Sequence, residues 1–306
     1  MDALELVAGW PVETAAVGVI PVHRSEEPPS GSRPGPPGRP GPPGRPGPPD
    51  SVGPPDSVGP VDRPFPWASV TKPATALATL VAVEEGSIGL DEPAGPAGST
   101  VRHLLAHASG LGPDPGPPLA RPGTRRIYSN AGYLELGRLV AERSGMTFAD
   151  YLRDGVLDPL GMSATVFDAD APGGPAAGLS GPLVDLLSLG RELAVPTLIS
   201  IETHLEAVSV QFAGLAGVLP GFQRFDPCDW GLGVEIRGAK QPHWTGTANS
   251  PSTFGHFGQS GSFLWVDPVA GVICAGLSDR PFGLWAVRSW PVLADAVLAG
   301  YGSGPL

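Results

Sequence analysis

A serine and a lysine three residues apart form the first candidate site in this chain. Ser69 and Lys72 stand in the stretch WASVTKP, where Pro73 suits the first turn of a helix. Residues i and i+3 of a helix share one face, with Cβ atoms about 5–6 Å apart, so the hydroxyl and the amine can meet. A lysine whose pKa is lowered by about three units, through burial beside other cations, would be a base able to activate the serine. Lys72 is one of only two lysines, the other being Lys240, which makes an ordinary surface role less automatic.

Two later stretches carry further polar groups. Tyr128, Ser129 and Asn130 stand directly ahead of an amphipathic helix, and His256 lies in GHFGQSG, which leads into an apolar strand. Taken singly, each has an ordinary structural explanation, because Asn130 suits a helix N-cap and the glycine-rich stretch suits a strand edge. The three stretches in this order, each with agreeing helix or strand context, favour a catalytic site.

In this order the three stretches resemble the motifs of the serine β-lactamase and penicillin-binding-protein superfamily. The resemblance is to the branch of class C β-lactamases, D-Ala-D-Ala carboxypeptidases and related esterases, whose motifs are Ser-x-x-Lys, Tyr-x-Asn and a Lys/His-x-Gly triplet. Supporting stretches are VRHLLAHASGL (101–111), PGTRRIYSNAGY (122–133) and VLDPLGM (156–162). The resemblance covers roughly residues 64–170 and 228–300.

The resemblance implies a hydrolase that works through an acyl-enzyme. Ser69 would attack an acyl carbonyl, while Lys72 and Tyr128 share the removal of its proton and the return of that proton to the leaving group. Asn130 would hold the amide or ester oxygen of the substrate. The backbone N–H groups of Ser69 and Gln259 would form the oxyanion hole. No metal and no cofactor are implied.

The third motif bears on the substrate. Gly258 would keep the strand edge open to a ligand, and His256 would line the site where many relatives place lysine. A histidine is neutral or only partly charged at pH 7, so it is a poorer anchor for the carboxylate of β-lactams and peptidyl-D-alanine. Phe257 stands where small hydroxyl residues are common in lactam-processing relatives. These departures favour small esters or similar acyl donors; a β-lactamase or D-Ala-D-Ala carboxypeptidase, and a non-catalytic binding protein on the same fold, stay as alternatives.

The order of elements predicts an α+β fold, an antiparallel sheet flanked by helices with a helical subdomain inserted, and the resemblance makes it β-lactamase/transpeptidase-like. The predicted elements are a strand in 15–22, a helix from Val70 that ends at Gly86, a helix over 130–145, strands in WGLGVEIRG and SGSFLWVDPVAGVICAGLSD with a turn at 267–271, and a helix over 290–298. We expect residues 1–24 (helix and first strand) to share one composite domain with the hydrolase region 63–306, in which 87–227 form the helical subdomain and 228–306 the remaining strands and last helix.

Glycine and proline are locally in excess. The chain has 44 Gly and 39 Pro, and many of the prolines lie in residues 28–66, where GPPGRPGPPGRPGPP repeats glycine at every third position. The repeat indicates either a short collagen-like assembly or, more simply, a disordered polyproline-type loop over residues 25–62. In the family's pattern a second strand precedes the Ser-x-x-Lys helix, and this segment replaces most of that strand.

Charge and hydropathy limit the partners. A net charge of −11 argues against nucleic acid, since phosphate binding needs a basic surface. No apolar run reaches the roughly 18 residues of a membrane span, and Asp2 stands where a signal peptide has positive charge. We therefore expect a cytoplasmic protein with a small-molecule acyl substrate and no membrane partner; protein partners stay unknown. Cys228 and Cys274 are expected to be buried free thiols.

Other side chains allow a second interpretation. His103 and His107 have the spacing of metal ligands on a helix, but no third ligand is evident. Arg125 and Arg126 could lower the pKa of Tyr128 or lie in solvent. Three tryptophans could wall an acyl pocket or belong to the core: Trp67, Trp265 and Trp285.

Overall fold

A computed structural model describes residues 3–23, 51–171 and 173–302 of the chain. The strands of the described residues are β1 (Ala15–His23), β2 (Ser51–Val52), β3 (Asp56–Val58), β4 (Phe65–Pro66), β5 (Val166–Phe167), β6 (Leu179–Gly181), β7 (Gly217–Val218), β8 (Arg224–Phe225), β9 (Glu235–Ile236), β10 (Phe254–Gly258), β11 (Ser262–Asp267) and β12 (Val272–Ser278). Seven of them form an antiparallel sheet in the order β2-β1-β12-β11-β10-β9, with β3 also paired to β1. The α+β prediction is confirmed.

Helices cover the sheet, and all but the last of them lie between β4 and β9 in the chain. They are α1 (Thr71–Glu84), α2 (Val101–Leu105), α3 (Asn130–Ser144), α4 (Phe148–Leu152), α5 (Leu183–Ala194), α6 (Ile201–Ala207) and α7 (Leu284–Tyr301), with 3-10 turns at Ala3–Gly9, Ala68–Val70 and Gly174–Ala176 and a π turn at Arg153–Leu157. The last helix is therefore longer than the sequence predicts. No helix of the described residues has the length and apolar character to cross a bilayer.

Both faces of the sheet are buried, because side chains of one strand alternate between two apolar clusters. On β1, Ala16 and Ile20 join the cluster that contains α1, α3 and α5, whereas Val17 and Val19 join the cluster that contains α7. The helix α5 lies within the expected subdomain 87–227, yet it packs against β1, β11 and β12. The sheet is thus a central layer between helices, the arrangement that lets two-sided apolar strands such as β12 stay dry.

Helix α3 shows how local sequence sets an element that the site needs. The Ser129 side chain caps its first turn by accepting a hydrogen bond from the Gly132 N–H at 2.8 Å. Gly145 ends the helix in the left-handed conformation at φ 71°. The predicted helix 130–145 and its glycine stop are confirmed. The N-cap is Ser129 and not Asn130, so the Asn130 side chain is left available for other contacts.

The structure corrects the prediction for one end of the glycine- and proline-rich segment. Residues 24–50 lie outside the described residues, so the disordered-loop and collagen-like interpretations stay untested there. The expected loop was too long, because β2 and β3 pair with β1 and occupy its free edge. Asp56–Val58 pairs with Val17 to Val19. It therefore forms part of the second strand that the segment was expected to replace.

Candidate active site

The three sequence motifs meet at one cavity between the sheet and the helical region. Its walls include five of the predicted site residues and five others, in a volume of about 110 Å³: Ser69, Tyr128, Asn130, His256 and Gln259, then Leu219, Pro220, Trp230, Glu235 and Phe257. Lys72 Nζ lies 3.3 Å from Ser69 Oγ, and Gly258 ends β10 directly before Gln259. The structure therefore brings every predicted catalytic and substrate-binding residue to one place.

Ser69 stands in a constrained turn. The 3-10 turn Ala68–Val70 leads straight into α1, and Ala68 adopts φ 45°, a left-handed conformation that costs a non-glycine residue about 1–2 kcal/mol. The turn is held by its neighbours, since the Ser262 hydroxyl donates to the Trp67 carbonyl at 2.7 Å and the Trp67 N–H donates to Leu179 O at 2.9 Å. Strain of this kind is retained where the surroundings fix the conformation, as at catalytic nucleophiles.

Lys72 is fully buried and has two fixed acceptors. Its Nζ donates to Asn130 Oδ1 at 2.8 Å and to the Ala176 carbonyl at 3.0 Å, and it lies 3.3 Å from Ser69 Oγ. Burial alone lowers the pKa of Lys72 well below its ordinary value; the expected neighbouring cations are not the cause. A neutral amine has two hydrogens and one lone pair. Because the two acceptors can only accept, both hydrogens are used, and the lone pair is left for the Ser69 hydroxyl.

Tyr128 lies over the lysine and keeps its proton. Lys72 Nζ is 4.7 Å from the centre of its ring. Burial raises the pKa of the phenol, and the Glu235 carboxylate raises it further, while a hydrogen bond with Ser69 acts the other way. Neither Arg125 nor Arg126 lowers it. The buried Arg126 instead directs its guanidinium to backbone carbonyls, among them Cys228 O at 3.1 Å.

Gly258 has a different role from the predicted one. A Cβ at this position would lie 2.4 Å from the Trp67 carbonyl oxygen and 2.4 Å from Ser262 Oγ, so the missing side chain makes room for the chain that carries Ser69. The glycine lets β10 pack against the nucleophile turn and does not open the strand edge to a ligand. Gln259 follows directly, at the wall of the cavity, which is where the oxyanion-hole prediction requires its backbone N–H.

His256 is buried in the wall of the cavity. Its Nδ1 lies 2.7 Å from the Phe257 carbonyl oxygen, and its Nε2 has no hydrogen-bond partner among the described residues. Burial, and then the nearby Lys72, lower the pKa of the imidazole to about 3. The predicted histidine is thus in place, and it is neutral at physiological pH.

Sequence reasoning missed Glu235, a carboxylate buried beside the cavity. Its oxygens accept from Lys240 Nζ at 3.1 Å, from His243 Nε2 at 3.0 Å and from the Trp244 indole N–H. Despite full burial, these partners lower the pKa of Glu235 to about 2. The one available signal was a lone acid between Val234 and Ile236 in an apolar run, which a polar strand edge would explain equally well.

The metal-site alternative finds no support. His103 Nδ1 pairs with Thr100 Oγ1 at 2.9 Å, whereas His107 lies beyond the end of α2 at φ 55° and accepts from the Ser129 N–H. The two rings therefore do not share a helix face. No cluster of three or more metal-ligand side chains occurs in the described part of the chain. His107 instead packs against Tyr128, with ring centres 4.6 Å apart and ring planes tilted by 38°.

An apolar groove continues from the cavity. It has a volume of about 480 Å³ and shares Tyr128 and Pro220 with the cavity, and its other walls include Leu119, Ile127 and Val218. None of the three tryptophans proposed from the sequence lines either space, since Trp67 and Trp265 are core and Trp285 packs on Trp10. The tryptophan that lines the cavity is Trp230. The predicted free cysteines, Cys228 and Cys274, are both buried.

Residues 50–299 match the family described as Beta-lactamase. A solved β-lactamase from Mycobacterium bovis is 46% identical and superposes with a TM-score of 0.85, covering 98% of this chain and 100% of that one. EstCE1, described as a hydrolase with promiscuous acyltransferase activity, has the same fold at 17% identity, with a TM-score of 0.71 and 97% and 96% of the two chains covered.

Curated relatives match over shorter stretches. Penicillin-binding protein 4* of Bacillus subtilis is 31% identical in an alignment 134 positions long that covers 33% of this chain and 30% of that protein. The chain spans less than half of the length of the curated relatives that it matches first.

Proposed function

The chain belongs to the β-lactamase family, and on that premise we propose that it is a serine hydrolase that forms an acyl-enzyme at Ser69 and acts on esters or similar small acyl donors. The observation that carries the proposal is the buried Lys72. Its two obligatory acceptors leave its lone pair for the Ser69 hydroxyl, which is the arrangement of a general base beside a nucleophile.

In the proposed acylation, Ser69 Oγ attacks the carbonyl carbon as its proton passes to Lys72 Nζ. The backbone N–H groups of Ser69 and Gln259 hold the developing oxyanion; a donor of this kind is worth about 3–4 kcal/mol. Tyr128, which is protonated in the resting enzyme, donates its phenol proton to the leaving oxygen and recovers a proton from Lys72. Deacylation runs through the same groups in reverse, with water in place of the leaving alcohol.

We favour esters over lactams as the substrates because of the residues around the cavity. The groove beside Tyr128 presents mainly apolar surface, although Arg125, Arg126 and Arg224 also line it. It is of the size of small-molecule sites, so it suits an apolar acyl or alkoxy group. EstCE1, which shares this fold, is described as a hydrolase with acyltransferase activity. A β-lactamase remains the second candidate because of the 46% identity to the Mycobacterium bovis protein, and a carboxypeptidase because a matched relative from Escherichia coli is provisionally so named.

The test is the intact mass of the protein after incubation with a fluorophosphonate, p-nitrophenyl acetate or benzylpenicillin. Wild type is compared with Ser69→Ala and with the matched control Ser252→Ala, an exposed serine in the loop before β10. We expect one adduct that Ser69→Ala abolishes and Ser252→Ala retains, with faster turnover of the ester than of the lactam. Faster lactam turnover would replace the ester proposal by the β-lactamase one. If the protein is folded and no probe labels it, the remaining candidate is the third one, a non-catalytic binding protein on the same fold.

The cytoplasmic location stays a prediction of the sequence.

A further inference from the structure

The tautomer of His256 follows from one contact. Its Nδ1 lies 2.7 Å from the Phe257 carbonyl oxygen, and a carbonyl oxygen can only accept a hydrogen bond. The proton of the neutral ring is therefore on Nδ1. It follows that Nε2 carries a lone pair and acts as an acceptor.

That acceptor is unused. Nε2 is buried and has no partner among the described residues, although a buried polar atom without a hydrogen bond is costly. The ring itself lines the catalytic cavity, with Tyr128 at 5.9 Å and Trp230 at 5.5 Å between ring centres. An unpaired acceptor in the wall of a substrate cavity is suited to a donor supplied by the substrate.

The neighbouring strand adds a carboxylate to the same wall. Glu235 on β9 lies opposite Gly255 on β10, one residue before His256, and also lines the cavity. Its partners Lys240 and His243 lie behind it and hold it ionised. The ten residues that line the cavity include no lysine and no arginine. Lys240 balances the charge of Glu235 from behind the wall. A carboxylate on the substrate would therefore meet the lone pair of His256 and a carboxylate oxygen of Glu235, with no cationic side chain among the residues that line the cavity.

We propose that His256, Glu235 and Trp230 form a subsite that accepts an uncharged or cationic hydrogen-bond donor of the substrate, such as a hydroxyl, carboxamide or ammonium group, and that excludes a carboxylate. The donor bonds to His256 Nε2. This inference rests on the proposed function and names the substrate class of that site: acyl donors with a donor group near the scissile bond.

The activity test uses meta-substituted phenyl acetates that bear carboxylate, carboxamide or aminomethyl groups, with p-nitrophenyl hemisuccinate and p-nitrophenyl succinamate for the acyl side. Each kcat/KM is divided by the hydroxide rate of that ester, which removes differences in leaving-group reactivity. For wild type we expect the carboxamide and aminomethyl esters to exceed the carboxylate ester at least tenfold. His256→Lys places a cation in the wall and should reverse the order by at least tenfold. Ser252→Lys adds the same charge on an exposed loop and should leave it unchanged.

A second measurement does not depend on turnover. In ¹⁵N-histidine-labelled wild type, the signals missing from His256→Gln identify His256, and their shifts report the tautomer. We expect a neutral ring with its proton on Nδ1 at pH 7. A proton on Nε2, or an imidazolium, would overturn the inference even if the esters are hydrolysed. Equal or better use of the carboxylate ester by wild type would also overturn it. If no probe labels Ser69, the proposed function fails, and the nitrogen shifts still decide whether this wall offers an acceptor.

Discussion

The neutral His256 should make the fold sensitive to acid by a calculable amount. In the unfolded chain this histidine has its ordinary pKa of 6.5, whereas in the folded protein its pKa is about 3. Below 6.5 the unfolded state therefore holds more protons than the folded state, so the contribution is fully present above pH 6.5 and is lost as the pH falls towards 3. The loss is about 1.4 kcal/mol per pH unit, which comes to about 2 kcal/mol at pH 5.

The perturbation is His256→Gln, which removes the titrating group and keeps a polar side chain. Urea unfolding at pH 8 and pH 5 gives the loss of unfolding free energy for each protein, and we expect that loss to be about 2 kcal/mol smaller in His256→Gln than in wild type. Because each protein is compared with itself, altered packing cancels. Phe148→Leu, which thins the core away from the cavity, should weaken the protein equally at both pH values. An unchanged difference in His256→Gln would refute the neutral buried imidazole.

Three further changes probe the machinery around that ring. Lys72→Met should lower kcat/KM by about 10²–10⁴, and wild-type activity should fall as the pH drops through the lowered pKa of Lys72, because the protonated amine is no base; a pH–rate profile checks both. Gly258→Ala should slow fluorophosphonate labelling at least tenfold with an unchanged circular dichroism spectrum, because the new Cβ displaces Trp67. Glu235→Gln should lower the unfolding free energy by about 3–5 kcal/mol, since it leaves Lys240 buried without its counter-ion; urea unfolding that matches wild type would contradict this.

Local patterns were sufficient where an element depends on its own residues. Helix α3 has an apolar face and a glycine stop within residues 130–145, so its bounds could be predicted closely, although its cap is Ser129 and not Asn130. The hairpin of β11 and β12 has two apolar runs around the turn at 267–271 and was predicted for the same reason. The proximity of Ser69 and Lys72 could be predicted from the sequence as well, because residues three apart share one face of a helix.

The same patterns failed where a property depends on contacts that helix or strand periodicity does not describe. Glu235 is held ionised by Lys240, His243 and Trp244. These residues follow it within nine positions, but no periodicity relates them to Glu235 or to the cavity. Gly258 looked like an opening for a ligand because its neighbour, Trp67, is nearly two hundred residues away in sequence. Neither alternative offered for Arg126 holds, because its guanidinium is buried and turns towards backbone carbonyls, and it does not lower the pKa of Tyr128.

The strand order explains how the chain can carry the glycine- and proline-rich segment and keep the site. His23 pairs with Ser51 and Val22 with Val52, so the residues on either side of positions 24–50 are neighbours in the sheet. Loop closure costs little more as a segment lengthens, and it costs least in strain where the two ends already lie together. β2 is one edge of the sheet, while β9 with Glu235 is the other and β10 with His256 lies next to it. Three strands, β1, β12 and β11, therefore separate β2 from β10. A change in the sequence of the segment need not alter the position of Ser69 through the sheet.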